Sequence, residues 1–141
     1  MAFSPNYWGR QAWHFIHMVA LAYPPEEALT EEIKKKYYQF FESLGNTLPC
    51  PTCSNHYREK FKNNPPRLEN SEALFRWTVD IHNSVNRDNG KKEISYQEAK
   101  REVVKNAKGK VYSDYLVTGV AVSVSLITMI CLFGYSLRKR G

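Results

Sequence analysis

The stretch PCPTCSNHYREKFKNNPP, residues 49–66, decides the fold class. Pro51 suits the first position of a helix, where a missing amide donor costs nothing, and Pro65 with Pro66 stops that helix. Cys50 and Cys53 therefore open a helix, and no strand alternation persists anywhere in the chain. A thioredoxin-like reading of the Cys-Pro-Thr-Cys pair would need a βαβ setting, which this helical sequence does not provide.

Outward from this segment the pattern repeats. A first helix is expected from about Tyr7 to Tyr23, with Trp13, Ile16, His17 and Ala20 at helical spacing before Pro24 and Pro25. Thr30 caps a second, in which Glu31 and Glu32 suit the positive N-terminal end. Ile33, Tyr37, Phe40, Phe41 and Leu44 form its apolar stripe, and Gly45 is expected to end it. Ser71 with Glu72 opens a fourth helix, whose Leu74, Trp77, Thr78, Ile81 and Val85 keep a three-and-four spacing to the Asn89-Gly90 turn. A short fifth runs from about Tyr96 to Val104. The chain reads as all-α, a four-helix bundle with a short fifth helix, and facing helices of a bundle can hold a cofactor between them.

Residues 115–137 carry no charge and would span about 35 Å as a helix, enough for a hydrocarbon core. This predicts a C-terminal transmembrane helix after a domain at 1–110, followed by a basic tail at 138–141. Tyr112, Tyr115 and Tyr135 suit the two interfaces. Lys100, Arg101, Lys105, Lys108 and Lys110 outweigh Arg138, Lys139 and Arg140, and the N-terminus lacks the look of a secretory signal. Both favour a single-pass C-terminal anchor with a cytosol-facing domain. Cys131, inside the span, reads as a small apolar membrane residue.

The net charge of +6 falls to a mild excess ahead of the span, 17 basic against 14 acidic residues in segment 1–114. No basic run interleaved with aromatics marks a nucleic-acid groove, so no nucleic-acid partner is expected. Three cysteines are too few for a secreted disulfide scaffold.

Chemistry concentrates at Cys50 and Cys53. Helix N-terminal amides favour a thiolate, so Cys50 is expected to be the more exposed sulfur that meets substrate, and Cys53, one turn deeper, the one facing a buried acceptor. A zinc site built from Cys50, Cys53, His56 and a further histidine, in a non-catalytic membrane adaptor, is the alternative. His17 shares a helix face with Trp13, His56 follows Cys53 by one turn, and His82 shares a face with Asn86. Polar groups on the inward faces of three helices need partners, and an aromatic ligand rich in acceptors would supply them.

Three segments together resemble the Erv/ALR sulfhydryl oxidases. Gly9-Arg10-Gln11-Ala12-Trp13-His14-Phe15-Ile16-His17 resembles their G-R-x-x-W-x-x-x-H segment, and Pro49-Cys50-Pro51-Thr52-Cys53-Ser54-Asn55-His56-Tyr57 their redox site. Trp77, His82-Asn83-Ser84-Val85-Asn86-Arg87 and Gly90-Lys91 are similar to their flavin segment. The resemblance implies non-covalent FAD, a homodimer, and catalytic Cys50 and Cys53. It implies that Trp13 and His17 flank the flavin and adenine regions and that Arg10 and Lys91 neutralise phosphate. His56, His82, Asn83, Val85 and Asn86 would line the cofactor, with Gly9 also a binding position and no metal required. A client dithiol or thioredoxin-like relay protein would reduce the cysteine pair, and oxygen would accept the electrons as hydrogen peroxide.

Two features depart from the family pattern. A structural disulfide common in the family would fall at Val79 and Tyr96 here, and the shuttle cysteine pair is missing. Minimal forms without a shuttle, often membrane-bound, are familiar in large cytoplasmic DNA viruses. The resemblance thus implies a viral late protein of host cytoplasm and virion membrane.

Overall fold

Punctuation in the sequence sets the helix ends. The computed structural model describes residues 2–105. Helix α1 spans Pro5–Leu21, a 3-10 turn Glu26–Ala28, α2 Glu31–Thr47, α3 Pro51–Asn63 and α4 Ser71–Asp88. A fifth helix, α5, covers residues 96–105, and no strand occurs among the described residues. The chain divides between Val103 and Val104 into two units, and the core and the site lie in the first.

Each expected cap can be checked atom by atom. The Thr30 hydroxyl accepts from the Ile33 amide at 3.2 Å, as its position ahead of two glutamates suggested. At the head of α3 the cap is Cys50 itself, whose Sγ accepts from the Cys53 amide at 3.2 Å. Ser71 is the first residue of α4, but the cap is Asn70, whose Oδ1 accepts from the Ala73 amide at 2.9 Å. Gly90, with φ of 63°, adopts the left-handed conformation that stops α4. Helix α1 begins two residues before Tyr7 because Pro5 can occupy its first turn.

The expectation that Gly45 ends the second helix is corrected: α2 continues to Thr47 and Gly45 is buried within it. Its role is close approach. Arg58 of α3 crosses directly over it and donates from Nη1 to the Gly45 carbonyl at 2.6 Å. A Cβ at this position would sit 2.6 Å from Arg58 Cγ.

Helix α1 packs on α4 and α2 on α3. Trp77 of α4 joins the two pairs: it meets Phe41 of α2 edge-on at 5.0 Å and Phe61 of α3 at 6.1 Å. Its indole N–H is satisfied by the Asn64 carbonyl at 2.7 Å, which lets the whole side chain be buried. The Tyr57 hydroxyl donates to the Phe41 carbonyl at 2.9 Å, a second tie between α3 and α2.

At the two positions where the family brace would fall, Val79 is fully buried and Tyr96 lies at the start of α5. The Tyr96 hydroxyl donates to Asp80 at 2.6 Å, Asp80 also pairs with Arg67, and the Arg76 guanidinium lies 4.9 Å over the Tyr96 ring. Lys100 reaches back from α5 to Glu72 at 3.1 Å. Polar contacts therefore hold α5 to α4 where a covalent link was expected to be missing.

Among the described residues no helix is long and apolar enough to cross a membrane. The span expected at 115–137, the tail at 138–141, Cys131 and the domain end at 110 fall outside the described residues.

Gly to Ala within a helix ordinarily stabilises by roughly 0.5–1 kcal/mol. Here the methyl meets a side chain pinned by its own hydrogen bond, so Gly45→Ala is expected to cost about 1–3 kcal/mol through overpacking. Urea unfolding checks this: the midpoint should fall, and a raised midpoint would mean that Arg58 swings clear.

Candidate functional site

Where α1 faces the last turns of α4 and the first turn of α3, the helices leave a cavity of about 520 Å³. Cys50, Cys53, Gly9, Arg10, Trp13, His17, His56, His82, Val85, Asn86 and Lys91 all line it. Three sequence segments far apart in the chain thus converge on one space. All four histidines of the chain reach it, including His14, which the sequence reading left out. Trp8, Thr52, Tyr57 and Glu102 line it too, and none was a candidate.

Asn83 is the exception. Its Nδ2 donates to the Ile94 carbonyl at 2.8 Å and its Oδ1 accepts from the Ile94 amide at 2.9 Å, so both polar groups are spent on the loop ahead of α5. It positions that loop and is not part of the wall. Asn86 is used partly in the same way, its carbonyl accepting from the Lys91 amide at 2.8 Å, which brings Lys91 back to the cavity rim.

Cys50 and Cys53 are joined in a disulfide, with Cα atoms 5.2 Å apart. Both are half-buried, so exposure does not rank them as the sequence reading expected. Helix position does. Cys50 is the cap and receives the Cys53 amide, while Cys53 lies in the first turn, where the helix dipole favours negative charge. A thiolate released from either sulfur meets a positive environment. The zinc alternative loses its ligands to this bond, and among the described residues no group of three or more His, Cys, Asp or Glu side chains is gathered for a metal ion.

The aromatic platform is built from α1 and α4. The Trp13 and His82 rings stack at 4.4 Å and within 8° of parallel. His82 Nδ1 lies 3.1 Å from His17 Nε2, and His17 Nδ1 lies 2.9 Å from the Thr78 hydroxyl. Of the inward polar groups, His17 and His82 partner each other and His17 also partners Thr78, and among the described residues no fully buried side-chain nitrogen or oxygen lacks a hydrogen bond. Burial, reinforced by the neighbouring His82 and His14, lowers the His17 pKa to about 3. Burial also lowers His82 to about 4, with Glu102 pulling it up and Lys91 pushing it down. Both rings are neutral near neutral pH.

Two cations, Arg10 and Lys91, line the same cavity. Arg10 is largely exposed and pairs with Glu102 of α5 at 2.9 Å, and Lys91 is exposed. An exposed pair of this kind is weakly held and can exchange partners.

The Erv1 / Alr family model matches residues 10–105. A protein of Acanthamoeba polyphaga mimivirus named "Probable FAD-linked sulfhydryl oxidase" is 42% identical over 115 residues, 79% of each chain. The Arabidopsis thaliana FAD-linked sulfhydryl oxidase ERV1 is 35% identical over 83 residues, which span 59% of this chain but only 42% of the plant protein. Among solved structures, the yeast Erv1 core superposes with a TM-score of 0.66 at 26% identity, covering 72% of this chain and 85% of that one.

The buried imidazoles make stability depend on pH with a definite sign. Between the ordinary imidazole value of about 6.5 and the lowered ones, the unfolded chain takes up protons that the folded chain refuses. Stability is thus full above that ordinary value and is lost as pH falls through the window, down to about 4 for His82 and about 3 for His17. Thermal melts across this window should show a declining Tm, with a shallower decline in His82→Asn, and equal slopes in the two proteins would refute the assignment.

Proposed function

From the premise that this chain belongs to the Erv1 / Alr family, we propose how its own residues carry out FAD-linked sulfhydryl oxidation. The observation that carries the reading is the position of the Cys50–Cys53 disulfide on the wall of the same cavity as the Trp13–His82 platform. The cavity suits the cofactor: its size lies within the range of small-molecule sites, it offers a flat stacked aromatic face, and Arg10 and Lys91 bring positive charge for a pyrophosphate. Bound FAD supplies a two-electron acceptor that oxygen regenerates, giving hydrogen peroxide.

The protein's part begins with thiol–disulfide exchange. A client thiolate attacks Cys50 Sγ, a sulfur–sulfur bond to the client forms, and Cys53 leaves as thiolate. The client's second thiolate then attacks its own sulfur, closing the client disulfide and releasing Cys50 as thiolate beside the Cys53 amide. Two electrons pass to the cysteine pair, and the helix N-terminus stabilises the negative charge that each step leaves on it. Cys53, in the first turn of α3, is the sulfur that hands electrons on. Trp13, His17, His56, His82, Val85 and Asn86 hold the cofactor, Gly9 allows close approach on α1, and Asn83 contributes by fixing the loop that carries Lys91. The domain takes electrons from a dithiol client or a thioredoxin-like relay protein.

Residues 115–137 anchor the chain in a membrane by a single C-terminal span, with the oxidase domain facing the cytosol; their freedom from charge supports this. Exposed Phe15 and Tyr38, on α1 and α2, support a homodimer built on those helices. The mimivirus relative supports a viral setting, in which the anchored chain would work in host cytoplasm and at the virion membrane.

Full-length protein purified in detergent should be yellow and consume oxygen with a dithiol. Cys50→Ser and Cys53→Ser should retain the colour and lose turnover by at least about a hundredfold. A folded, colourless and inactive wild-type preparation would overturn the reading. Alkaline carbonate should leave the full chain in the membrane pellet, and release into the supernatant would refute the anchor.

A further inference from the structure

Thr78 was read from the sequence as one more residue in the apolar stripe of α4, and it is fully buried. It has one hydroxyl proton, and that proton is committed: Oγ1 donates to the Phe75 carbonyl at 2.7 Å. Toward His17 Nδ1, at 2.9 Å, the Thr78 oxygen can only accept, so His17 carries its proton on Nδ1. The neutral His17 ring then has a bare lone pair on Nε2, and His82 Nδ1, 3.1 Å away, must donate to it. His82 is neutral as well, which leaves its Nε2 with a lone pair. Stacking on Trp13 holds the plane of this ring, and among the described residues no hydrogen bond reaches Nε2. The one polar atom that His82 can offer a ligand in the cavity is therefore an acceptor.

We propose that Thr78 is a positioning residue that acts through His17 to fix the tautomer of His82, so that the cavity wall accepts a hydrogen bond from a hydroxyl or ring N–H of the cofactor. This rests on the FAD reading above. A phosphate oxygen, which has no proton to give, is excluded from the His82 edge and is left to Arg10 and Lys91. The arrangement is directional. Removing the Thr78 oxygen strands a buried Nδ1 proton, so His17 moves that proton to Nε2, donates to His82 Nδ1, and turns His82 Nε2 from acceptor into donor. A donor of the cofactor then faces a donor of the protein.

Ring-nitrogen NMR of the ¹⁵N-labelled full chain near neutral pH reads the tautomers directly. Wild type and Thr78→Ser should show His82 protonated at Nδ1, and Thr78→Val should show it protonated at Nε2. The dissociation constant for FAD should rise at least about tenfold in Thr78→Val, the worth of one hydrogen bond, and stay near wild type in Thr78→Ser. His82 protonated at Nε2 in wild type would overturn the proposal, as would Thr78→Val with unchanged tautomer or unchanged FAD affinity. If Thr78→Val does not fold, the wild-type spectrum and the serine variant still decide. The tautomer is legible with or without flavin, so a wrong tautomer and a protein that never binds flavin are separate results.

Discussion

The seating of His17 between α1 and α4 is the contact on which the remaining architecture depends. A ring buried to this degree on an apolar helix face must find two hydrogen bonds or shed its place in the core. Both come from α4, one from Thr78 and one from His82, so the rotation of α1 about its axis is set by that helix. Once α1 is so turned, Trp13, one turn earlier, lies flat against His82, and Arg10 comes round to the rim beside Glu102. The cavity is then what remains between these two helices and the first turn of α3. Core and site share their walls, as a domain of this size requires.

Much of this was legible in the sequence, and for identifiable reasons. Helix existence followed from proline and glycine punctuation and from apolar spacing, and the redox helix was placed to the residue because Pro51 tolerates one position and little else. Gly45 misled because a glycine signal is ambiguous: it serves a helix end, but also the close passage of another chain segment, and only the neighbouring Arg58 tells which. The cap at Asn70 was overlooked because the adjacent Ser71 is also a good cap type.

The site divides along the same line. Residues carried in compact motifs converged on the cavity, because a motif encodes side chains that share one helix face. Asn83 sits inside such a motif and yet serves the loop, since adjacent residues on a helix point in different directions and His82, Val85 and Asn86 share the inner face. Thr78 and Glu102 were invisible for the converse reason. Their meaning lies in partners 61 and 92 positions away, a separation that no local pattern reports.

The polar clasp of Tyr96, Asp80, Arg76 and Arg67 bears on the environment in which such a domain can work. Of the three cysteines in the sequence, two form the working bond and the third lies in the apolar tail. The fold between α1 and α5 therefore has no second sulfur bridge for a client or a small-molecule reductant to open. Ambient thiols can reset the reactive pair without loosening the scaffold around it, so turnover and structural integrity answer to different conditions.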